Sequence, residues 1–321
     1  MLFLNKKDIT RVDRNLIQTA VAGAYELMNC GQYNMPDRIH VQDKENTLLL
    51  MPCFTTDYFA TKLVSVFPVA SDRGLPVVNG IMTLADNSTG QPLAVMDGAA
   101  VTAERTGAVG GLAVSILTDP GLKTAGIFGA GVQGMSQARY LLINRDIDVL
   151  MISDLYPEAA ARMAELLAKD FPRVDFVVAG TADDLVRSSE LIIAATTTTT
   201  PLFSNDPDLV QGKTFVSIGS FRPDMKEFPD VVIRTADRIY VDTPFAAKES
   251  GDICIPLERG IVKKENIHPF AGLVGGNYSY SKESSATCFF KSVGMALFDL
   301  TVATALYKLA IDSNLGVELE F

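Results

Sequence analysis

The spacing of apolar residues changes along the chain and divides it into three stretches. Leu2 to Leu4 is a short apolar run that predicts a strand, and from Asp13 to Cys30 the residues Ile17, Ala20, Val21, Ala24 and Leu27 recur at helical steps, with Gly31 as the stop. Short β-rich segments follow at Arg38 to Gln42, Thr47 to Met51, Lys62 to Phe67, Asn79 to Ala85 and Leu93 to Met96. They are punctuated by Pro36, Pro52, Pro68, Gly74 and the Asn87–Gly90 turn, and the last two segments predict a hairpin. A helix from Ala99 to Leu117 is rich in small residues (Gly107, Ala108, Gly110, Gly111, Ala113), which suits a close contact with another helix. From there strands and helices alternate: strand Thr124 to Phe128, strand Val149 to Ser153, helix Pro157 to Lys169, strand Asp175 to Val178, helix Ala182 to Ser188, then strands Leu191 to Ala195, Thr214 to Ile218 and Arg238 to Val241. Such alternation is the signature of a doubly wound parallel sheet, so the fold class is α/β, with the meandering N-terminal strands in a separate domain. A last amphipathic pattern, Ser292 to Ile311, predicts a helix that returns to the N-terminal domain.

The turn after strand Thr124 to Phe128 reads Gly129-Ala130-Gly131-Val132-Gln133-Gly134 and leads into a helical segment. In that context Gly129 permits the tight turn, Gly131 lets the backbone approach a pyrophosphate closely, and Gly134 allows the helix to pack on the strand. The glycines alone are weak evidence, but Asp154 ends the next strand twenty positions after Gly134, where a carboxylate holds the adenosine ribose. That carboxylate would repel a 2′-phosphate, and Leu155 and Tyr156 supply no cation to offset it, so NAD is favoured over NADP. The threonine run Thr196 to Thr200 follows a strand's carboxyl end, where it reads equally as a ligand-lining segment or as a solvated loop.

Composition narrows the partners. The 321 residues, 48% of them hydrophobic, suffice for two domains with buried cores. A net charge of −10 would repel phosphate backbones and anionic lipid, so neither nucleic acid nor a membrane surface is an expected partner. The start MLFLNKKD lacks the apolar core of a signal peptide and no run has the length of a membrane span, which points to a cytoplasmic location. Cys30, Cys53, Cys254 and Cys288 form no CxxC pair, and neither His40 nor His268 lies in a metal or dyad motif, so no metal is expected.

With histidine nearly absent, the chemistry falls to other groups. Arg38 in MPDRIHV, Lys62 in FATKLVSVFP and Arg105 in VTAERTGA stand in or beside apolar segments. Each alone reads as a salt-bridged surface residue; three in such settings suggest an anion between them, and a substrate carboxylate is a good counter-ion. A desolvated Lys62 would also release its proton more easily and serve as an acid or base.

The order of PDR at 36–38, TKLVSVFP at 61–68, GLP at 74–76, TGQPLAVMDG at 89–98, TAERTGA at 102–108, GAGVQG, GSFRPDMKE at 219–227 and FKSVGMALFD at 290–299 resembles the ornithine cyclodeaminase/μ-crystallin family over nearly the whole chain. The resemblance implies a Rossmann NAD-binding domain over 119–295 and a smaller α+β dimerisation and substrate-binding domain from both chain ends, 1–118 and 296–321. It implies a homodimer acting on a small amino or imino acid. Arg38, Lys62 and Arg105 match its substrate-carboxylate positions, Arg105 also reaching the cofactor, and Val293 matches a substrate contact. Val132 and Gln133 match positions at the cofactor phosphates, Asp154 matches the ribose position, and Thr196, Gly219 and Ser292 fall in cofactor-lining segments. True cyclodeaminases carry a catalytic aspartate where this chain has Phe221. The resemblance therefore favours the members that reduce imines of 2-oxo acids with NAD(H), with cyclodeaminases, alanine dehydrogenases and a non-catalytic crystallin-like binder as alternatives.

Overall fold

A computed structural model describes residues 1–276 and 286–320. Two compact units emerge, Met1–Arg105 with Met295–Phe321, and Thr106–Gly294.

In the first unit, β1 (Leu2–Leu4) leads to α1 (Lys6–Thr10), which opens on a capping box between Asn5 and Asp8. Helix α2 (Arg14–Cys30) is capped by Asp13, buries Ile17, Val21, Ala24 and Tyr25, and stops at Gly31, whose φ of 65° is the left-handed conformation that glycine adopts without strain. Then come β2 (Ile39–Asp43), β3 (Asn46–Phe54), β4 (Tyr58–Val66), β5 (Val78–Asp86) and β6 (Pro92–Asp97), an antiparallel meander whose last two strands form the expected hairpin. Strands β3 and β4 run longer than the sequence suggested, because Pro52 does not end β3. The pairing with β2 stops at Leu50 and the next bridge on that side is Asn34–Phe54, so Pro52 stands between the two and its missing N–H costs no ladder bond.

Helix α3 (Gly98–Leu117) carries the chain into the second unit. There the order is β7 (Thr124–Phe128), α4 (Val132–Asn144), β8 (Val149–Ser153), α5 (Pro157–Asp170), β9 (Asp175–Val178), α6 (Ala182–Ser188), β10 (Leu191–Ala194) and β11 (Thr214–Ser217). It continues through α7 (Asp230–Thr235), β12 (Arg238–Val241), α8 (Ala246–Glu249), α9 (Gly251–Glu258), β13 (Ile267–Pro269), α10 (Ala271–Val274) and β14 (Cys288–Lys291). Helix α11 (Ala296–Ser313) and β15 (Val317–Glu318) belong to the first unit again.

The second unit's sheet is parallel throughout, in the order β13-β12-β14-β11-β10-β7-β8-β9, so the strand order reverses between β7 and β10. This is the Rossmann arrangement with its switch point at that crevice. The buried CFFK strand β14, inserted between β11 and β12, was not anticipated, because a four-residue apolar run carries too little periodicity to be told from a loop. The first unit's sheet runs β15-β1-β6-β5-β4-β3-β2, with α11 packed across β3 to β6 and against α2.

Two boundaries differ from expectation. The last helix begins at Ala296, not Ser292, because Ser292, Val293 and Gly294 turn inward to give their hydrogens to the carboxylate of Asp242. The first unit ends inside α3 at Arg105 rather than at position 118. The glycine-rich second half of α3 packs tightly on α4: a Cβ at Gly107 would collide with Ser136 Oγ and the Tyr140 ring. Gly107→Ala should therefore destabilise the protein by about 1–3 kcal/mol, measured as a lower urea midpoint than that of the unaltered chain.

Candidate active site

The cations found in the sequence meet in the first unit. Lys62 lies on the face of β4 that also carries Ala60 and Val64 and packs beneath α11, and it is 2% exposed. Arg105, near the middle of α3, is also buried. Both converge on Asp299 of α11: Lys62 Nζ stands 2.7 Å from Oδ2, and Arg105 Nε donates to Oδ1 at 3.0 Å. Arg38, half-buried just before β2, lies near enough for its charge to act on Lys62. Burial pushes the Lys62 ammonium down to about 8; Asp299 opposes that shift, while Arg105 and Arg38 reinforce it. For Asp299 burial works upward, but Lys62 and Arg105 outweigh it and hold its carboxyl below the ordinary range. Two buried cations on one carboxylate leave a positive charge for a further anion.

Asp299 was missed by sequence reasoning. The signal present was a lone acid inside a strongly apolar helix, Phe298-Asp299-Leu300, which is tolerable only if a cation is buried beside it.

The second unit holds the dinucleotide fingerprint. Gly129 adopts a φ of 97°, and a Cβ there would stand 2.6 Å from Ala195 O, so the turn after β7 admits only glycine. A Cβ at Gly134 would strike the carbonyl of Gly129, which is the helix-on-strand approach expected of it. Gly131 caps α4 without any side-chain bond to its first N–H groups, and a Cβ there would meet no atom within 4 Å. The helix N-terminus thus has open space beside a cap with no side chain, which fits a pyrophosphate. Val132 is 69% exposed at that end, and Gln133, half-buried, has an Oε1 that finds no hydrogen-bond partner among the described residues. Asp154, past β8, accepts from Ala130 N at 2.7 Å and Tyr156 N at 3.0 Å, so its carboxylate is tied to the glycine turn.

The remaining expected residues follow strands of the same sheet. Thr196 lies just beyond β10 and Gly219 beyond β11, both bonded to the carboxylate of Glu227. Ser292 and Val293 follow β14; the Ser292 hydroxyl donates to Asp242 Oδ2 at 2.6 Å, leaving only its oxygen lone pairs for a ligand. Phe221 is exposed beyond β11, and Asp224 is exposed and paired with Arg222 at 3.0 Å. The structure thus brings Arg38, Lys62 and Arg105 together in one unit and the dinucleotide residues together in the other.

The family model of ornithine cyclodeaminase/mu-crystallin matches residues 5–314. The chain belongs to the ornithine cyclodeaminase/mu-crystallin family. Within it, the chain is similar to a Δ1-pyrroline-2-carboxylate reductase of Bacillus cereus, 32% identical over 87% of this chain and 86% of that protein. Among solved structures, Thermococcus litoralis Δ1-pyrroline-2-carboxylate reductase in complex with NADH and L-proline superposes with a TM-score of 0.93 at 29% identity, covering 99% of this chain and 100% of that one. An archaeal alanine dehydrogenase dimer with bound NAD gives 0.92 at 26% identity, covering 100% and 99%. Both of these solved structures carry NAD or NADH.

If Asp154 faces the adenosine ribose, as its place after β8 and the absence of a cation at Leu155 and Tyr156 would have it, NADH should bind roughly tenfold or more tightly than NADPH, and Asp154→Ser should narrow the gap. Fluorescence titration of both nucleotides measures it; equal affinities in the unaltered protein would contradict the assignment.

Proposed function

We propose that this protein is an NAD(H)-dependent reductase of imines that bear a carboxylate on the imine carbon, with Δ1-pyrroline-2-carboxylate or a related ketimine as substrate. The observation that supports this reading is the buried Lys62–Arg105–Asp299 cluster, whose surplus positive charge suits one substrate carboxylate. A bound NADH would supply the hydride that the imine carbon takes, itself becoming NAD⁺. The C=N π pair then goes to nitrogen, which takes one proton. Arg105 and Arg38 hold the carboxylate through charge-assisted hydrogen bonds, worth about 1.5–3 kcal/mol each. Lys62 donates the proton: with a pKa of about 8 its ammonium is charged at neutral pH yet releases the proton more easily than a solvated lysine does. Asp299 keeps that ammonium charged despite burial and fixes the spacing between Lys62 and Arg105.

Cyclisation of ornithine asks for more. An additional group must manage protons at the α-amine, and the position that serves in true cyclodeaminases is Phe221, which can neither give nor accept one. Asp224 is engaged with Arg222 and does not replace it. Alanine dehydrogenase chemistry would use the same clamp but needs ammonia as a co-substrate. A non-catalytic binder of apolar ligands would have no use for buried cations.

Cyclic imines, and 2-oxo acids with ammonia, followed by NADH absorbance test the reading. We expect NADH oxidation with pyrroline-2-carboxylate and no proline from ornithine with catalytic NAD. Lys62→Met should lower the reduction rate by about 10²–10⁴, and Arg105→Met should raise the KM of the imine. In the unaltered protein the reduction rate falls as pH rises through about 8, because the acid form of Lys62 is lost, and the reverse oxidation gains over the same interval. Proline formed from ornithine as fast as from the imine would overturn the specificity.

The first unit also supports a homodimer. On the sheet face opposite Lys62, the register aligns Ile39, Leu50, Leu63 and Ile81 across four strands, with Val41 beside Leu48. Ile39, Val41 and Ile81 are exposed, and a contiguous apolar row of this kind marks an association surface. Light scattering at micromolar concentration should give twice the chain mass, and Ile81→Asp should shift it toward the monomer; a monomeric unaltered protein would refute the dimer.

A further inference from the structure

The second unit contains a buried ionic cluster that the proposed proton transfer does not use. Glu227, Asp252 and Lys291 are almost completely shielded from water. Glu227 accepts on Oε1 from Thr196 N at 2.6 Å and Thr196 Oγ1 at 2.9 Å, and on Oε2 from Gly219 N at 2.8 Å and Ser220 N at 3.1 Å, while the Ser217 hydroxyl shares its one hydrogen between Glu227 Oε2 at 3.0 Å and Asp252 Oδ2 at 2.8 Å. Asp252 holds this residue in place by accepting from Glu227 N at 2.9 Å and Phe228 N at 3.0 Å. Lys291 Nζ donates to Ser217 Oγ at 2.8 Å, so a cation from β14 is bonded to the same group. Burial pushes the Glu227 carboxyl upward, and the charge of Lys291 opposes the shift.

The geometry gives these bonds a purpose. Thr196 follows β10 and Gly219 follows β11, and a Cβ at Gly219 would collide with the backbone N and O of Thr196, so the two loops touch main chain to main chain. Only a shared acceptor beneath them satisfies both sets of N–H groups. In a doubly wound sheet the strands on the fingerprint side of the switch point, here β7, β8 and β9, take the adenosine half of a dinucleotide. The strands on the other side, β10, β11 and β14, take the remaining half, with its nicotinamide.

We propose that Glu227 is a positioning residue for the nicotinamide half of the cofactor: by gathering Thr196, Gly219 and Ser220 on one buried carboxylate, it sets the shape of the ledge on which that half rests. This rests on the reading that the second unit binds NAD(H). Glu227→Gln keeps the size but turns one acceptor into an N–H₂ group facing N–H donors, so one of the two loops must move. The adenosine half, held by Gly129 to Gly134 and Asp154, has no bond to this carboxylate.

The test is calorimetric titration of the unaltered protein and Glu227→Gln with NADH and, separately, with ADP-ribose, which lacks the nicotinamide. We expect NADH to bind about tenfold or more weakly to the variant while ADP-ribose stays within about twofold. Equal weakening of both ligands, or no change in either, would overturn the proposal. If Glu227→Gln does not fold, Ser217→Ala, which removes the hydroxyl that links Glu227, Asp252 and Lys291, should weaken NADH by about threefold and spare ADP-ribose; a change shared by both ligands would again overturn it. Failure of the unaltered protein to bind either ligand would instead overturn the cofactor reading on which the proposal rests.

Discussion

The first unit is built around one desolvated charge cluster. Lys62 and Arg105 are buried among apolar side chains, a placement that would cost several kcal/mol for either cation without a partner. Their partner, Asp299, comes from a helix 194 residues beyond Arg105 and further still from Lys62, so the C-terminal segment must return to the N-terminal sheet for either cation to be tolerated. The domain made from both chain ends follows from that requirement. Removing one member of such a buried set commonly costs about 3–5 kcal/mol, because the others are left uncompensated. The same charge balance supports the proposed function, since two cations to one anion suit a ligand that carries a carboxylate.

A second constraint governs the other unit, and it is one of backbone geometry rather than charge. The loops after β7, β10 and β11 approach one another so closely that Gly129 and Gly219 have no room for a side chain. Close-packed loops bury N–H groups, and buried N–H groups need acceptors. Glu227 supplies one under Thr196 and Gly219, Asp154 supplies one at Ala130, and Asp242 supplies one to Ser292, Val293 and Gly294. Carboxylates suit these positions, since each oxygen accepts more than one hydrogen bond and carries the charge that strengthens them. The loops at the ligand end of the sheet are thus held by acids beneath them.

Sequence alone determined the class of the protein, because the signals involved are local. Strand, glycine turn, helix and an acid at fixed spacing are properties of consecutive residues, and the Rossmann unit, NAD as its cofactor and most strand positions could be read from Gly129 to Asp154 and the alternation that follows. The three cations were legible for a similar reason: a charge inside an apolar run is anomalous wherever it sits. Tertiary structure alone decided what those charges face. Asp299, Glu227, Asp252 and Lys291 acquire their roles from partners tens to hundreds of residues away, and no periodicity records such a pairing. It also decided where the last helix starts and that CFFK forms a central strand, since Asp242 draws Ser292 to Gly294 out of a helical pattern and the neighbours β11 and β12 recruit a run too short to declare itself. Local pattern fixes which elements can form; burial and the need to satisfy buried charge and backbone fix which of them meet.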